Sequence, residues 1–257
     1  MTKIMVIANQ KGGVGKTTTA VNLASCIAEN GKEKNIKVLA IDIDPQGNMT
    51  SGLGVKGKFE QSVYDVIINH VEPKEVIIQT VMENLDIIPA EVSLSGAEVE
   101  LVNVMAREQV LKNAIMKVRD KYDYIIIDCP PSLGLLTLNA LTAADTLLVP
   151  IQCEYYALEG LAQLMHTVKL VRTHLNPQLD VEGVVLTMFD ARTNLSSQVV
   201  SEVKKFFKNK VYETIIPRSI KLGEAPSYGL PINIYDPKCA GTTAYRKLAT
   251  EVVNKEG

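Results

Sequence analysis

The residues best suited to chemistry form a glycine-rich segment near the start of the chain, Lys11-Gly12-Gly13-Val14-Gly15-Lys16-Thr17-Thr18. Its glycines permit a backbone that wraps closely around an anion, which a Cβ atom would obstruct. The N–H groups of such a loop and of a following helix N-terminus favour a bound polyphosphate. The spacing places Lys16 for the terminal phosphates and the Thr17 hydroxyl for Mg²⁺. Lys11 is a second lysine that a loop of this class does not require.

Two carboxylates, Asp42 and Asp44, end the second apolar run of the sequence. Residues i and i+2 of a strand point to the same side, and Pro45 and Gly47 then predict a turn. Ligands of parallel sheets bind beyond the carboxyl ends of the strands, so we expect both side chains to face the loop. One carboxylate would position or polarise a water molecule and the other would help to organise a metal site. The alternative is a capping or turn role, which suits one aspartate better than two.

A third carboxylate, Asp128, ends the fully apolar run 124–127. A carboxylate at this position can hold Mg²⁺ through the water shell of the ion. Pro130 and Pro131 stiffen the following segment, because proline restricts φ, and this segment is suited to sense a terminal phosphate. The sequence contains no Asn-Lys-x-Asp guanine-recognition motif, which favours ATP over GTP.

The elements that must position these residues alternate along the chain. Predicted strands cover residues 3–8, 37–43, 85–89, 122–128, 146–151, 181–189 and 211–216. Predicted helices cover residues 16–30, 92–121, 135–143, 157–174, 195–208 and 243–254. Several strands are apolar without alternation, which is typical of strands covered on both faces. The pattern predicts an α/β fold with a doubly wound, mostly parallel sheet flanked by helices.

Length and composition narrow the possible functions. At 257 residues, with 46% hydrophobic and 22% charged residues, the chain predicts a globular protein, and we expect a single domain over 1–257. The net charge of −2 provides no global attraction to nucleic acid, so DNA binding would need a local patch. No apolar run approaches the roughly 18 residues of a membrane span, and we expect no signal peptide and a cytoplasmic location.

The combined segments resemble the deviant-Walker ATPases and, within them, the ParA/Soj chromosome- and plasmid-partitioning branch. The resemblance covers essentially the whole chain. It is carried by residues 11–18 with their two lysines, and by residues 44–48, 128–132, 152–160 and 222–227.

The resemblance implies a Mg²⁺-dependent ATP hydrolase that forms a sandwich homodimer when ATP is bound. Residues 11–18 would contact the nucleotide, with Lys11 reaching phosphates in the partner's site and Lys16 holding phosphates in its own. Thr17 would bind Mg²⁺ directly, and Asp42 and Asp128 would hold it through water. Asp44 would activate the attacking water, and Pro217 would line the adenine pocket, where Ser219 replaces an asparagine common in the family.

The resemblance also implies that the ATP-bound dimer binds double-stranded DNA without sequence preference and associates with the nucleoid. Arg192, Arg218 and Lys221 would supply the DNA contacts. Lys221 lies where relatives commonly carry arginine. A lysine at this position keeps the positive charge but cannot make the bidentate contacts of arginine. A ParB-type centromere-binding protein would stimulate hydrolysis and release the dimer. Lys204, Lys205, Lys208 and Lys210 either extend the DNA patch or form a solvated helix face, and we favour the second.

Two other functions are compatible with the same fold. One is a MinD-like, membrane-associated regulator of cell division, and the other is a metabolic ATPase or an electron-transfer protein. The C-terminal helix carries no Phe or Trp and has a polar face of mixed charge, so we do not expect it to dock on a membrane. The Tyr155–Tyr156 pair suggests base stacking, but packing beside the nucleotide loops or at a dimer interface is the favoured interpretation.

Overall fold

The computed structural model describes residues 2–32, 35–155, 157–158 and 160–255. Within them the chain forms an eight-stranded sheet of order β3-β4-β2-β5-β1-β6-β7-β8. The strands are β1 Lys3–Ile7, β2 Val38–Asp42, β3 Ile78–Gln79, β4 Leu85–Ile88, β5 Tyr124–Asp128, β6 Thr146–Gln152, β7 Asp180–Phe189 and β8 Val211–Pro217. All neighbouring pairs are parallel except β3–β4. The predicted doubly wound, mostly parallel α/β fold is therefore confirmed.

Helices cover both faces of this sheet. They are α1 Lys16–Asn30, α2 Asn48–Gly52, α3 Val63–Ile67, α4 Pro73–Val76, α5 Leu94–Glu100, α6 Val110–Met116, α7 Leu135–Ala143, α8 Leu161–His174, α9 Asn194–Phe207, α10 Ile220–Glu224, α11 Ile232–Tyr235 and α12 Ala240–Asn254. One hydrophobic core joins the sheet to α1 and α12, and a second joins its opposite face to α5 through α9. Strands β2 and β5 lie between the two cores and are buried along their whole length, which explains their continuous apolar sequence.

The predicted helix over residues 92–121 is wrong. The chain forms α5 and then a short 3₁₀ turn, leaves helical geometry at Val104, and passes through a left-handed Ala106 (φ 53°) before α6 begins. The Asn139 side chain of α7 stabilises this break, because it donates to the Arg107 carbonyl at 2.9 Å and accepts from the Leu111 N–H at 3.1 Å. A tertiary contact thus satisfies backbone groups that a continuous helix would have paired internally.

The structure also differs from the sequence prediction at other element boundaries and contains short elements that the sequence did not predict. The last predicted helix, for example, begins at Ala240 rather than at residue 243. The helix expected from residue 157 begins at Leu161, because Gly160 takes a left-handed conformation (φ 75°) as its N-cap. Strand β3 is a two-residue antiparallel edge strand, too short to produce a periodic signal. Tyr156, half of the tyrosine pair considered above, lies outside the described residues, and Tyr155 is exposed at the surface.

Candidate functional site

The glycine-rich loop joins the carboxyl end of β1 to α1 in the conformation that an anion site requires. Gly13 and Gly15 have φ of 76° and 88°, values that L side chains rarely adopt. Gly15 is the N-cap of α1 and provides no side-chain cap for the first turn. The N–H groups at the start of this 15-residue helix are therefore available to an anionic ligand.

The two lysines of the loop have different environments. Lys16 is 7% exposed, and its Nζ donates to the Lys11 carbonyl at 3.1 Å. Burial lowers the pKa of the Lys16 ammonium, and the nearby Asp128 carboxylate opposes that shift. The Lys11 N–H donates to Asn9 Oδ1 at 3.1 Å, but its ammonium forms no hydrogen bond or ion pair with any residue that the structure describes. The backbone of Lys11 is therefore held in place while its side chain remains available to an external group.

The carboxylate of Asp128 is buried and has the environment expected of a cation ligand. It lies beside Ile7 of β1 and Asp42 of β2 in the strand register. Both of its oxygens are buried, and neither has a hydrogen-bond partner of ordinary geometry among the described residues. Burial raises its pKa, and repulsion from Asp42 adds to the shift, whereas the neighbouring Thr17 hydroxyl and the Lys16 charge oppose it. An unpaired buried carboxylate beside a threonine hydroxyl fits Mg²⁺, which takes oxygen ligands and usually keeps several waters.

Both carboxylate oxygens of Asp42 accept hydrogen bonds from the protein. Its Oδ1 accepts from the Asp44 N–H at 3.1 Å, and its Oδ2 accepts from the Thr50 N–H and hydroxyl, both at 2.8 Å. The Thr50 hydroxyl in turn accepts from the Ala90 N–H at 2.9 Å. Burial raises the pKa of Asp42, and these donors oppose that rise. Asp42 therefore connects the loop after β2 to the segment after β4.

Asp44 lies on the turn that Asp42 holds. One of its carboxylate oxygens, Oδ1, accepts from the Gln46 N–H at 3.0 Å, and its carbonyl accepts from the Gly47 N–H at 2.9 Å. Gly47 has φ 61°, and a Cβ there would lie 3.0 Å from the Ala90 carbonyl oxygen, so a side chain would strain this turn. The turn therefore presents the Asp44 carboxylate at the carboxyl edge of the sheet, where it interacts electrostatically with Lys16.

The Thr50→Val protein tests the connection between these loops. Valine preserves the shape of threonine but removes the hydroxyl that donates to Asp42 and accepts from Ala90. We expect the free energy of unfolding to fall by about 1–3 kcal/mol, because buried polar groups lose their partners. Urea denaturation measures this value. Thr250→Val, at an exposed position of α12, is the control, and an equal loss in both proteins would contradict the assigned role.

A cleft of about 210 Å³ adjoins the loop and can accept a nucleotide base. Its lining includes Gly15, Thr18, Thr187, Met188, Pro217 and Ser219. A larger groove, of about 1110 Å³, lies between β8 and α12. Loop residues line the smaller cleft, and none lines the larger groove. Pro217 borders both the smaller cleft and the larger groove.

The three cations expected to contact DNA also lie at the carboxyl edge of the sheet. Arg192 follows β7, and Arg218 and Lys221 follow β8. All three are exposed, and each forms an ion pair with a carboxylate: Arg192 with Asp190 at 2.6 Å, Arg218 with Glu154 at 2.8 Å, and Lys221 with Glu224 at 3.0 Å. Exposed pairs of this kind contribute about 0–1 kcal/mol, so a phosphate can displace the carboxylates.

The lysines near the end of α9 lie away from this edge. Lys204 is ten residues beyond the start of the helix, or ~15 Å along its axis. Lys210 donates to Asp180 at 2.6 Å, at the start of β7 and thus at the amino edge of the sheet. This placement favours the solvated helix face over an extended DNA patch.

The sequence analysis missed three side chains that shape the site: Asn9, Thr50 and Thr187. The Thr187 hydroxyl donates to the Val14 carbonyl at 2.8 Å, across 173 positions of sequence. Asn9 Nδ2 donates to the Pro150 carbonyl at 2.7 Å while its Oδ1 holds Lys11. Asn9 lies two residues before the loop motif, which is a usable signal, whereas no local pattern marks Thr50 or Thr187.

The chain is similar in sequence and in fold to several known proteins. A family model described as an AAA domain matches residues 2–181. The sporulation initiation inhibitor protein Soj of Bacillus subtilis (strain 168) is 59% identical over 253 residues, covering 98% of this chain and 98% of the relative. The chromosome-partitioning ATPase Soj of Treponema pallidum is 51% identical over 257 residues, covering 100% and 99%. Cobyrinic acid a,c-diamide synthase from Mycobacterium smegmatis, solved with ADP and magnesium, has a TM-score of 0.86 at 37% identity, covering 100% of this chain and 96% of that one.

Proposed function

Because the chain belongs to the ParA/Soj family of chromosome-partitioning ATPases, we propose that it uses ATP hydrolysis to control DNA binding during segregation. The chain is a P-loop ATPase that uses ATP and Mg²⁺. In the proposed cycle, an ATP-bound homodimer binds double-stranded DNA without sequence preference. A ParB-type centromere-binding protein stimulates hydrolysis, and the separated protomers then leave the nucleoid.

One observation carries this proposal: the nucleotide loop and three exposed cations lie at the same edge of the same sheet. Loop residues follow β1, whereas Arg192 and Arg218 follow β7 and β8. The Arg218 N–H donates to the Phe189 carbonyl at 2.9 Å, which joins the two cation-bearing segments. Two-fold pairing would double the cationic surface. A local cationic surface is what a chain of net charge −2 needs to bind DNA.

Within the nucleotide site we assign each residue the role that its environment supports. Residues 12–18 bind the phosphates with their N–H groups, and the buried Lys16 ammonium moves from the Lys11 carbonyl to the terminal phosphates. Asp44 positions the attacking water. Lys11, whose ammonium is unpaired among the described residues, reaches the phosphates of the second protomer. Pro217 lines the adenine cleft.

Thr17 and Asp128 are the residues that would hold Mg²⁺, the first directly and the second through water. When bound, the ion neutralises charge on the phosphate oxygens. Asp42 was expected to share this task. Since its two oxygens already accept three hydrogen bonds, we propose that it acts indirectly, by holding the turn that carries Asp44.

We expect the protein to sediment with DNA when ATP is present, and not with ADP or without nucleotide. Binding should weaken steeply as the salt concentration rises. For each tenfold rise in salt, the log of the binding constant falls by about 0.9 for every phosphate that the protein neutralises. Co-sedimentation at two salt concentrations measures both effects. Equal binding in all three nucleotide states would refute a nucleotide-controlled DNA switch.

In the Arg218→Ala protein, DNA binding should depend less on salt. The slope of the log of the binding constant against the log of the salt concentration should be smaller by about 0.9 for each phosphate that is no longer neutralised. Co-sedimentation with ATP at the same two salt concentrations measures the change. Arg172→Ala is a matched control, because Arg172 is also exposed and ion-paired, with Asp180, but lies at the end of α8 by the amino edge of the sheet. If the salt dependence falls equally in both proteins, the effect reflects total charge rather than a site.

The MinD-like alternative has less support from the C-terminal helix. Tyr245, Leu248, Ala249 and Val252 form its apolar stripe, and all four are buried in the core beneath α1 and α12. This face is therefore not available to insert into a lipid surface. Across the described residues, no helix combines the length and hydrophobicity needed to span a bilayer. Liposome sedimentation with ATP separates the two functions, because the partitioning function predicts DNA binding without lipid binding.

A further inference from the structure

Residues 187–192, which include the end of β7, contact the nucleotide loop at one end and carry one proposed DNA cation, Arg192, at the other. At its start, the Thr187 side chain is 2% exposed and donates to the Val14 carbonyl at 2.8 Å. The methyl group of Thr187 also lies 3.7 Å from the position that a Cβ on Gly15 would take. The first residue of this segment is therefore packed on the loop that binds phosphates.

Met188 follows in a left-handed conformation with φ 53°. An unbranched residue other than glycine is uncommon in this region, and such backbone strain typically costs about 1–3 kcal/mol. Thr187 and Met188 both line the proposed base cleft. Met188 thus lies between the proposed base cleft and residues 189–192. A second backbone conformation at Met188 would directly shift the residues that follow it.

The far end of the segment holds two of the three proposed DNA cations. The Phe189 carbonyl accepts from the Arg218 N–H at 2.9 Å. Asp190 accepts from the Arg192 N–H at 3.0 Å and from its guanidinium at 2.9 and 2.6 Å. A shift of residues 188–190 would therefore act on both arginines, on Arg192 through Asp190 and on Arg218 through the Phe189 carbonyl.

We infer that Thr187 is a positioning residue that transmits the state of the nucleotide loop to Arg192 and Arg218. Contacts of the terminal phosphate with the loop move the Val14 carbonyl, and the Thr187 hydroxyl follows it. The strained backbone at Met188 then changes conformation and sets the two arginines for DNA. The inference rests on the proposed function, because it explains how ATP rather than ADP gives tight DNA binding.

Thr187→Val removes the hydroxyl and keeps the shape of the side chain. The measured quantity is the dissociation constant for DNA with saturating ADP divided by the dissociation constant with saturating ATP. Because both nucleotides are saturating, a change in nucleotide affinity does not alter this ratio. We expect this ratio to fall about tenfold in Thr187→Val, with the ATP-bound dimer retained in light scattering. Thr187→Ser keeps the donor and should retain the wild-type ratio.

Thr142→Val is the matched control. Its hydroxyl is also fully buried and donates to a carbonyl, that of Leu138 at 2.7 Å, but it lies within α7 and away from the loop. An unchanged ratio in Thr187→Val, or an equal fall in Thr187→Ser or Thr142→Val, would overturn the inference. A wild-type ratio near one would instead overturn the proposed function, so the two failures are distinguishable.

Hydrogen exchange in the wild-type protein tests the inference even if Thr187→Val does not fold. We expect the amides of Thr187 and Met188, which lie at the buried end of the segment, to exchange more slowly with ATP than with ADP. The amide of Arg218, bonded to Phe189, should change with them. Identical exchange in the two nucleotide states would show that the segment does not respond to the terminal phosphate.

Discussion

The Lys11→Ala protein is expected to fold normally and to remain monomeric with saturating ATP. Its backbone contacts, from the Lys11 N–H to Asn9 and from Lys16 to the Lys11 carbonyl, do not depend on the side chain. A charged hydrogen bond is worth about 1.5–3 kcal/mol, and two-fold symmetry places two of them in each dimer. The dimer dissociation constant should therefore rise at least about a hundredfold. Light scattering with and without ATP measures this change.

Lys56→Ala is the control for Lys11→Ala, because Lys56 is exposed and lies outside the loop. It removes the same charge and should leave the ATP-induced dimer intact. A dimer of normal stability in Lys11→Ala would contradict the proposed role in dimer assembly. If the dimer survives but hydrolysis falls, Lys11 acts in the chemical step instead, as a cationic finger would.

The Asp44→Asn protein is expected to bind ATP, dimerise and stay on DNA, while its hydrolysis rate falls about 10²–10⁴-fold. A positioned group that accepts a proton typically contributes this factor. Asparagine keeps an oxygen that can accept from the Gln46 N–H, so the turn should remain intact. Single-turnover hydrolysis in the absence of partner protein gives the rate. A normal rate would show that another residue positions the water.

A mixture of Lys11→Ala and Asp44→Asn proteins tests whether Lys11 acts on its own site or on its partner's. If Lys11 acts across the interface, a mixed dimer contains one site with both residues intact and one site with neither. A mixed dimer keeps one Lys11 and should form more readily than the Lys11→Ala homodimer. At protein concentrations high enough for all dimers to form, random pairing would restore about one quarter of the wild-type rate. If Lys11 acts within its own protomer, neither site of the mixed dimer is complete, and mixing restores nothing.

The sequence alone was sufficient to predict the elements that carry the nucleotide site. The run 124–127 predicted a strand buried on both faces, and β5 is buried throughout. The loop glycines predicted a backbone that wraps closely around an anion, and Gly13 and Gly15 adopt the positive φ that such a loop uses. These predictions succeed because they depend on local steric preferences and on hydrophobic patterns, which neighbouring residues specify. The helix predicted over residues 92–121 failed, because contacts from the distant Asn139 interrupt it.

The tertiary structure alone decided how Asp42 and Asp128 differ. In sequence, Asp42 and Asp128 are both carboxylates at the ends of apolar strands. In the fold, Asp42 accepts hydrogen bonds from Asp44 and Thr50, whereas the oxygens of Asp128 have no such partner among the described residues. The same holds for Thr187, whose contact with Val14 spans 173 positions. Hydrogen bonds between distant segments form only when the sheet brings strand ends together, so no local pattern in the sequence encodes them.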